Sequence, residues 1–372
     1  MRVNNAVALV FSNSNDEALP ELTEYRSMGS VPFGGRYRII DFHLSNLVNA
    51  GVGKVGVIPR SNYRSLMDHI GSGKPWDLDR KQGGLSFLPP FIAGGGGAYK
   101  GHIEAVLNVS DYLKKSREEY VILCDADVIC NIDIADMFER HIKEEADVTV
   151  AYKHGALPKY HKPHAVLELD ANGTAKEILV SVDTGAECDY GIGLMIFRRD
   201  QLVELSVKAM ERGYTSIGRG VLQANSNTLK IMGYKVEGFA QTIDGIKAYA
   251  DANMAVLTAE VRRDLFNPKR PIYTKTRDDM PAKYGLDSSV KNSLIGDGCV
   301  IEGSVENCIL FRGVKVGKNT RLRDCIVMQS CVIGEDCDIQ YVTADKDVSV
   351  SDGTQLRGAE GCHYIIKKGT SI

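Results

Sequence analysis

A chain of 372 residues, 44% apolar and 25% charged, carries enough hydrophobic material for about two packed domains. Its net charge of -3 leaves no electrostatic footprint for nucleic acid or for an anionic membrane. No run of about 18 apolar residues occurs, and the N-terminus leads straight into an apolar strand without a secretory leader, so a soluble, cytoplasmic protein is expected. The nine cysteines, from Cys124 to Cys362, include no Cys-x-x-Cys pair. They read as reduced thiols used as small apolar side chains, with no zinc site.

The apolar run Ala6 to Phe11 predicts a buried strand, followed by a polar segment from Ser12. After Pro32 to Gly35 comes a helix from Asp41 to Ala50, with Ile40, Leu44, Leu47 and Val48 along one face. Strand, long loop and helix open an α/β sheet, and the loop leaving the first strand is where such sheets place a ligand. Asn13 to Leu19 contains no glycine and no cation, and reads as a polar surface turn. Gly51-Val52-Gly53-Lys54-Val55-Gly56 matches G-x-G-x-x-G, but its glycines follow a helix and lead into the strand Lys54 to Pro59. A pyrophosphate loop needs the reverse order.

Ser72 to Gly101 is loop-rich and includes Trp76-Asp77-Leu78, Leu88-Pro89-Pro90 and the run Gly94 to Gly97, either a lid or a plain linker. Tyr99-Lys100-Gly101 opens a helix with Ile103, Val106, Leu107 and Leu113 as its apolar stripe, and His102 reads as a solvated first-turn residue. Tyr120 to Leu123 is a buried strand ending in Cys124-Asp125-Ala126-Asp127, with Asp133 beyond. Carboxylates at such a strand end suit a hard divalent cation. Strands follow at Asp147 to Tyr152, Ala165 to Leu169, Lys176 to Val182 and Tyr190 to Phe197, with a hairpin turn at Asp170 to Gly173.

Arg262 to Tyr284, with Pro268, Pro271 and Pro281, reads as a linker. Beyond it Ile295-x₃-Cys299-x-Ile301, Val316-x₃-Thr320-x-Leu322, Ile333-x₃-Cys337-x-Ile339 and Val350-x₃-Thr354-x-Leu356 repeat one pattern at steps of 21, 17 and 17 residues. Hexapeptide units, three to a coil, predict a parallel β-helix with aliphatic residues inward, in which Cys299, Cys308, Cys325, Cys331 and Cys337 stack as small residues. Acyltransferases use the same fold with a histidine base. Only His363 lies in this region, past the last coil, which argues against that activity.

Val31-Pro32-Phe33-Gly34-Gly35-Arg36-Tyr37-Arg38-Ile39-Ile40-Asp41-Phe42 resembles the start of the glucose-1-phosphate adenylyltransferases, the ADP-glucose pyrophosphorylases, among the sugar-phosphate nucleotidyltransferases. The resemblance spans essentially the whole chain. It implies a Rossmann-like, GT-A-like mixed sheet with helices on both faces over 1–261, a linker over 262–285, and a left-handed parallel β-helix over 286–372. Aligned on the family, the glycine-rich GGxGTRL signature falls on Asn13 to Leu19, its arginine on Ala18 and the following loop lysine on Met28. Asp16 and Glu17 stand where a neutral lining is expected, and a like-charge pair about 4 Å apart costs on the order of 4 kcal/mol at an effective dielectric near 20. The sugar-phosphate lysine falls on Ser181-Val182-Asp183, and D-F-G-x-D on Ser216 to Gly220. The second metal aspartate becomes Thr242, while Asp127 keeps the position of the first.

The resemblance therefore implies a noncatalytic, regulatory subunit of glycogen synthesis that assembles, as a homo- or hetero-tetramer, with a catalytic homologue converting ATP and glucose 1-phosphate to ADP-glucose and pyrophosphate. Mg²⁺ works in that partner. No cofactor is assigned to this chain, and Asp127 is its residual metal ligand. Gly34, Gly35, Arg36, Arg38 and Asp41 lie by the resemblance near a regulatory anion site, with Arg36 and Arg38 as the donors to a sugar-phosphate effector or, alternatively, as ion-pair partners of Asp41 or of another subunit. Tyr99, Gly101 and Gly193 hold cleft positions. Two rival readings are a weak adenylyltransferase working through Asp127 and a sugar-phosphate sensing module.

Overall fold

The computed structural model of the chain describes residues 3–90, 99–157, 164–181 and 187–372. The glycine run 94–97 and the positions Val182 and Asp183 lie outside the described residues.

All six residues of the first strand, Ala6–Phe11, are buried. Successive side chains of a strand point to opposite faces, so both faces need cover. Ala8 and Val10 pack with Ile40, Leu44 and Leu47 of the helix Ile39–Ala50. Val7, Leu9 and Phe11 pack with Ile103, Val106 and Leu113 on the other side. Burying one such Leu, Ile or Val contributes about 1.5–3 kcal/mol, which is why helices flank this sheet on both faces.

The described strands form a nine-stranded sheet in the order Ala175–Ser181, His164–Leu169, Glu187–Arg198, Tyr120–Asp125, Ala6–Phe11, Lys54–Ile58 and Gly84–Phe87, with Val148–Ala156 joining Glu187–Arg198 to Ile231–Lys235. Ala6–Phe11 pairs in parallel with both Lys54–Ile58 and Tyr120–Asp125, whereas Glu187–Arg198 is antiparallel to Tyr120–Asp125. The sheet is mixed, as expected. Phe11 lies beside Asp125 in this register, so the loops leaving both carboxyl ends open on one crevice.

The C-terminal part is a left-handed β-helix of three parallel five-stranded sheets. Its register corrects the repeat alignment. Ile295 pairs with Leu310, and the neighbour of Val316 is Ile301. The step of 21 residues thus joins two different faces, because all three faces of a coil carry the same aliphatic pattern and spacing alone does not separate them. Cys299, Cys308, Cys325, Cys331 and Cys337 are buried, and Cys299, Cys331 and Cys337 donate Sγ–H to the carbonyls of Phe311, Asp345 and Ser351 in the next coil at 3.1, 2.9 and 3.2 Å. Burial pushes the Cys331 thiol up to about 12.

Segment 262–285 is not a free linker. It begins inside the helix Ala259–Leu265, Phe266 stacks on Tyr37 at 5.1 Å, and Asn49 and Ser45 hold the Pro271 carbonyl and the Tyr273 amide at 3.0 and 2.8 Å. Prolines exclude regular structure, but the carbonyls around them still need donors, which the helix Ile39–Ala50 supplies. At the far end Lys283–Tyr284 already pairs with Val300–Ile301 as a strand of the first coil. Phe33, Phe42 and Tyr249 share one apolar cluster with Ile309, Phe311, Ile326 and Met328, so the two parts are joined by a common core. Among the described residues no helix is long and apolar enough to cross a membrane.

Candidate functional site

The loop after the first strand is not the plain surface turn expected. It folds inward around Asp16, which opens a short turn Asp16–Ala18. Asp16 Oδ1 accepts the Met28 amide at 2.8 Å, and Oδ2 accepts the Asn13 side-chain amide at 2.6 Å. Burial outweighs these two bonds and raises the Asp16 carboxyl above its usual range. Thr23 Oγ1 ties the turn down by donating to the carbonyls of Asp16 and Leu19, both at 2.8 Å. A loop that cradles phosphates turns its N–H groups toward the ligand. Here an internal carboxylate takes the Met28 amide instead.

Asp125 and Asp127 line a small pocket of about 60 Å³ with His102, Gly193, Ser216 and Thr242. His102 is not a solvated residue. Its Nε2 lies 2.7 Å from Asp125 Oδ1, and its ring stands edge-on to Phe11 with centroids 4.6 Å apart. Ser14 Oγ donates to the same Asp125 oxygen at 2.9 Å. The first turn of the helix His102–Asn108 is held here by close packing, since a Cβ on Gly101 would sit 2.4 Å from the Thr215 carbonyl oxygen. Gly193 adopts φ +76°, where a Cβ would come within 2.7 Å of Asp125. Glycine therefore lets Glu187–Arg198 bulge past the aspartate, and the strand register breaks between Gly191 and Met195.

Asp127 is 1% exposed, and Thr242 beside this pocket is 3% exposed. With Asp125 engaged by His102 and Ser14, the lining beside Asp127 offers the Thr242 hydroxyl and no further carboxylate to help neutralise Mg²⁺. Among the described residues no group of three or more His, Cys, Asp or Glu side chains is set to hold a metal ion. Asp133, the later acidic residue, instead caps the helix Ile134–Lys143 by accepting the Asp136 amide at 3.0 Å.

Above the pocket lies a cleft of about 950 Å³ between the Asn13–Glu17 loop, Arg60–Asn62, Tyr99–His102 and Tyr214–Ser216. Tyr99 is a strut of its wall, 8% exposed and donating its hydroxyl to the Pro59 carbonyl. The cations of the cleft lining are Arg60, Lys100, Arg219 and Lys367, and Lys367 pairs with Glu24 at 2.9 Å.

The Gly34-Gly35-Arg36-Tyr37-Arg38 string faces the β-helix, away from this cleft. Gly34 and Gly35 turn between the strands Pro32–Phe33 and Tyr37–Arg38, and a Cβ on Gly35 would sit 3.9 Å from both Ile309 and Leu310. Arg36 is exposed, its guanidinium 5.7 Å from the Tyr37 ring. Arg38 turns inward, donating to the Ser65 carbonyl and hydroxyl at 2.7 and 2.9 Å, and burial lowers its pKa to about 10. Asp41 does not pair with either guanidinium. It accepts the Arg38 backbone amide at 3.0 Å and lies 2.5 Å from His69 Nε2, capping its own helix.

Three residues that sequence spacing does not single out complete this corner. Arg26 grips Asp345 of the β-helix through both nitrogens, at 2.8 and 3.0 Å, with side chains 3% and 2% exposed. Lys346 lies next to them, and burial, reinforced by the charges of Arg38 and Arg26, lowers its pKa to about 7 against the opposing pull of Asp345. Asp345 is already taken by Arg26, so the corner holds more positive than negative charge.

The nucleotidyl transferase family matches residues 17–179, and the GlmU-like C-terminal hexapeptide family matches residues 280–360. The chain is 36% identical to the glycogen biosynthesis protein GlgD of Bacillus subtilis over 98% of this chain and 96% of that one. It is 37% identical to the GlgD of Geobacillus stearothermophilus over 99% and 97%. It is also 31% identical to the glucose-1-phosphate adenylyltransferase of Acetivibrio thermocellus over 96% and 84%. Full-length similarity of this kind, on a nucleotidyltransferase sheet with a hexapeptide β-helix docked against it, shows that the chain belongs to the family of GlgD glycogen biosynthesis proteins and glucose-1-phosphate adenylyltransferases.

Proposed function

We propose that this chain is a noncatalytic, regulatory subunit of glucose-1-phosphate adenylyltransferase, assembling with a catalytic homologue and raising its activity. The loop closed on Asp16 carries this reading. Adenylyl transfer to glucose 1-phosphate brings two polyanions together, and cations that neutralise and align them supply nearly all of the catalysis. A carboxylate inside the phosphate loop, with Ala18 and Met28 at its cation positions, works against that encounter. A regulatory subunit needs no such site. It acts through different interaction free energies with the active and inactive states of its partner, for which an intact fold suffices.

Pyrophosphate release from ATP, glucose 1-phosphate and Mg²⁺ tests this, using the chain alone, a catalytic homologue alone, and the two mixed. Silence alone with stimulation on mixing is the expected result. Turnover by the chain alone, abolished by Asp127→Ala, would establish the weak transferase instead.

The cationic corner favours a second element of the same reading, an effector phosphate held by Arg38 and Lys346 with Arg36 at its rim. A lysine whose ammonium is disfavoured in the folded state takes up a proton on unfolding. Stability therefore rises with pH from about 7 toward the ordinary lysine range and levels off below about 7, where both states hold the proton. Lys346→Met is expected to remove this gain, and inorganic phosphate to raise the wild-type Tm more than that of the variant. A variant whose Tm tracks the wild type between about pH 6 and 9, with and without phosphate, would refute the assignment.

A further inference from the structure

The helix Ile134–Lys143 buries Ile134, Met137, Phe138 and His141, the spacing of a core-facing stripe, so a histidine stands where an apolar residue would serve. Its Nδ1 lies 2.8 Å from Thr149 Oγ1, while its Nε2 is buried with no hydrogen-bond partner among the described residues. Burial, reinforced by the charge of Arg198, lowers its pKa to about 4, so the ring is neutral near pH 7. His141 and Thr149 line a cavity of about 780 Å³ between this helix and the strand Ile231–Lys235. It shares no lining residue with the Asp125 pocket or with the cleft above that pocket.

The wall of this cavity is set before any ligand arrives. Tyr234 donates its hydroxyl to Asp136 Oδ2 at 2.8 Å, Arg140 Nε pairs with the same oxygen at 3.1 Å, and the Arg140 guanidinium lies 5.2 Å from the Tyr234 ring centroid. Side chains already held by one another lose less freedom on binding. Asp136, Glu139 and Glu144 balance Arg140, Lys143 and Lys230 around the lining, which favours neither an anion nor a cation. An unpaired nitrogen of a neutral imidazole is met best by a hydroxyl, which donates or accepts as the tautomer requires. The volume falls in the range of about 300–1,000 Å³ of small-molecule sites. We propose that this cavity binds a short neutral oligosaccharide, with ring hydroxyls on Asp136, Arg140 and His141 and a C–H face against Met232 and Tyr234. The site is separate from Arg38 and Lys346 and does not depend on the chain being noncatalytic.

Calorimetric titration of the full chain with maltotriose, a neutral glucose oligomer, tests the site. Saturable binding is expected, with a raised Tm. Arg140 is exposed on the helix surface, and Arg140→Ala should weaken binding about tenfold, the worth of one hydrogen bond to a charged group. His141→Leu should weaken it as well, and the Tm of each variant without sugar verifies that it is folded. No saturation at millimolar maltotriose, binding unmoved by Arg140→Ala, or displacement of maltotriose by inorganic phosphate or Mg²⁺ would each overturn the proposal.

Discussion

Ala18→Arg is expected to leave the chain without measurable pyrophosphate release from ATP and glucose 1-phosphate. One oriented cation or hydrogen-bond donor in such a site is worth about 10²- to 10³-fold. By the resemblance the family's groups fall on Ala18, Met28, Ser181 to Asp183 and Thr242, on four separated segments. Groups that work as a unit are not additive, but one returned arginine recovers at most its own share. Its position is also unfavourable. Ala18 is 6% exposed, and the adjoining Asp16 is the ready partner for a new guanidinium before any ligand arrives. Assay of the purified variant alone, beside a catalytic homologue as positive control, reads the outcome. Turnover by this single variant would show that the other three positions are dispensable, and the noncatalytic reading would fall.

The largest stability effect is expected at Arg26. Its bidentate pair with Asp345 joins the N-terminal part that carries the mixed sheet to the β-helix, and both side chains are almost fully buried. Removing one partner of such a pair leaves the other charged and desolvated, which costs about 3–5 kcal/mol. Arg26→Met should lose that much in denaturant unfolding. Arg26→Met/Asp345→Leu should regain most of it, because apolar replacement of a whole buried pair is often near neutral. An Arg26→Met variant within about 1 kcal/mol of wild type, the range of exposed pairs, would mean that water reaches the bridge.

Much of this molecule was legible in its residues. The apolar run of Ala6–Phe11 identified a strand buried on both faces, and the hexapeptide pattern identified a β-helix, because burial and periodicity are local properties of a chain. The rejection of Gly51 to Gly56 as a nucleotide motif also holds, since Gly51 ends the helix Ile39–Ala50 and Lys54 begins a strand. The face to which each repeat belongs was not legible, and Ile295 was placed one face away from its true neighbours.

Only the tertiary structure decided where side chains point. Composition shows a polar turn at Asn13 to Ala18, but not that Asp16 folds back to take the Met28 amide. His102 carries no local mark of its contact with Asp125, which the register of Ala6–Phe11 on Tyr120–Asp125 creates. Arg38 and Lys346, or Arg26 and Asp345, become neighbours only when the β-helix docks through Phe33, Phe42 and Phe311. The sequence alone therefore determined the architecture, which is written in residue identity and spacing. Which charges meet, and which are buried without compensation, depends on contacts hundreds of residues apart, and these exist only in the folded chain.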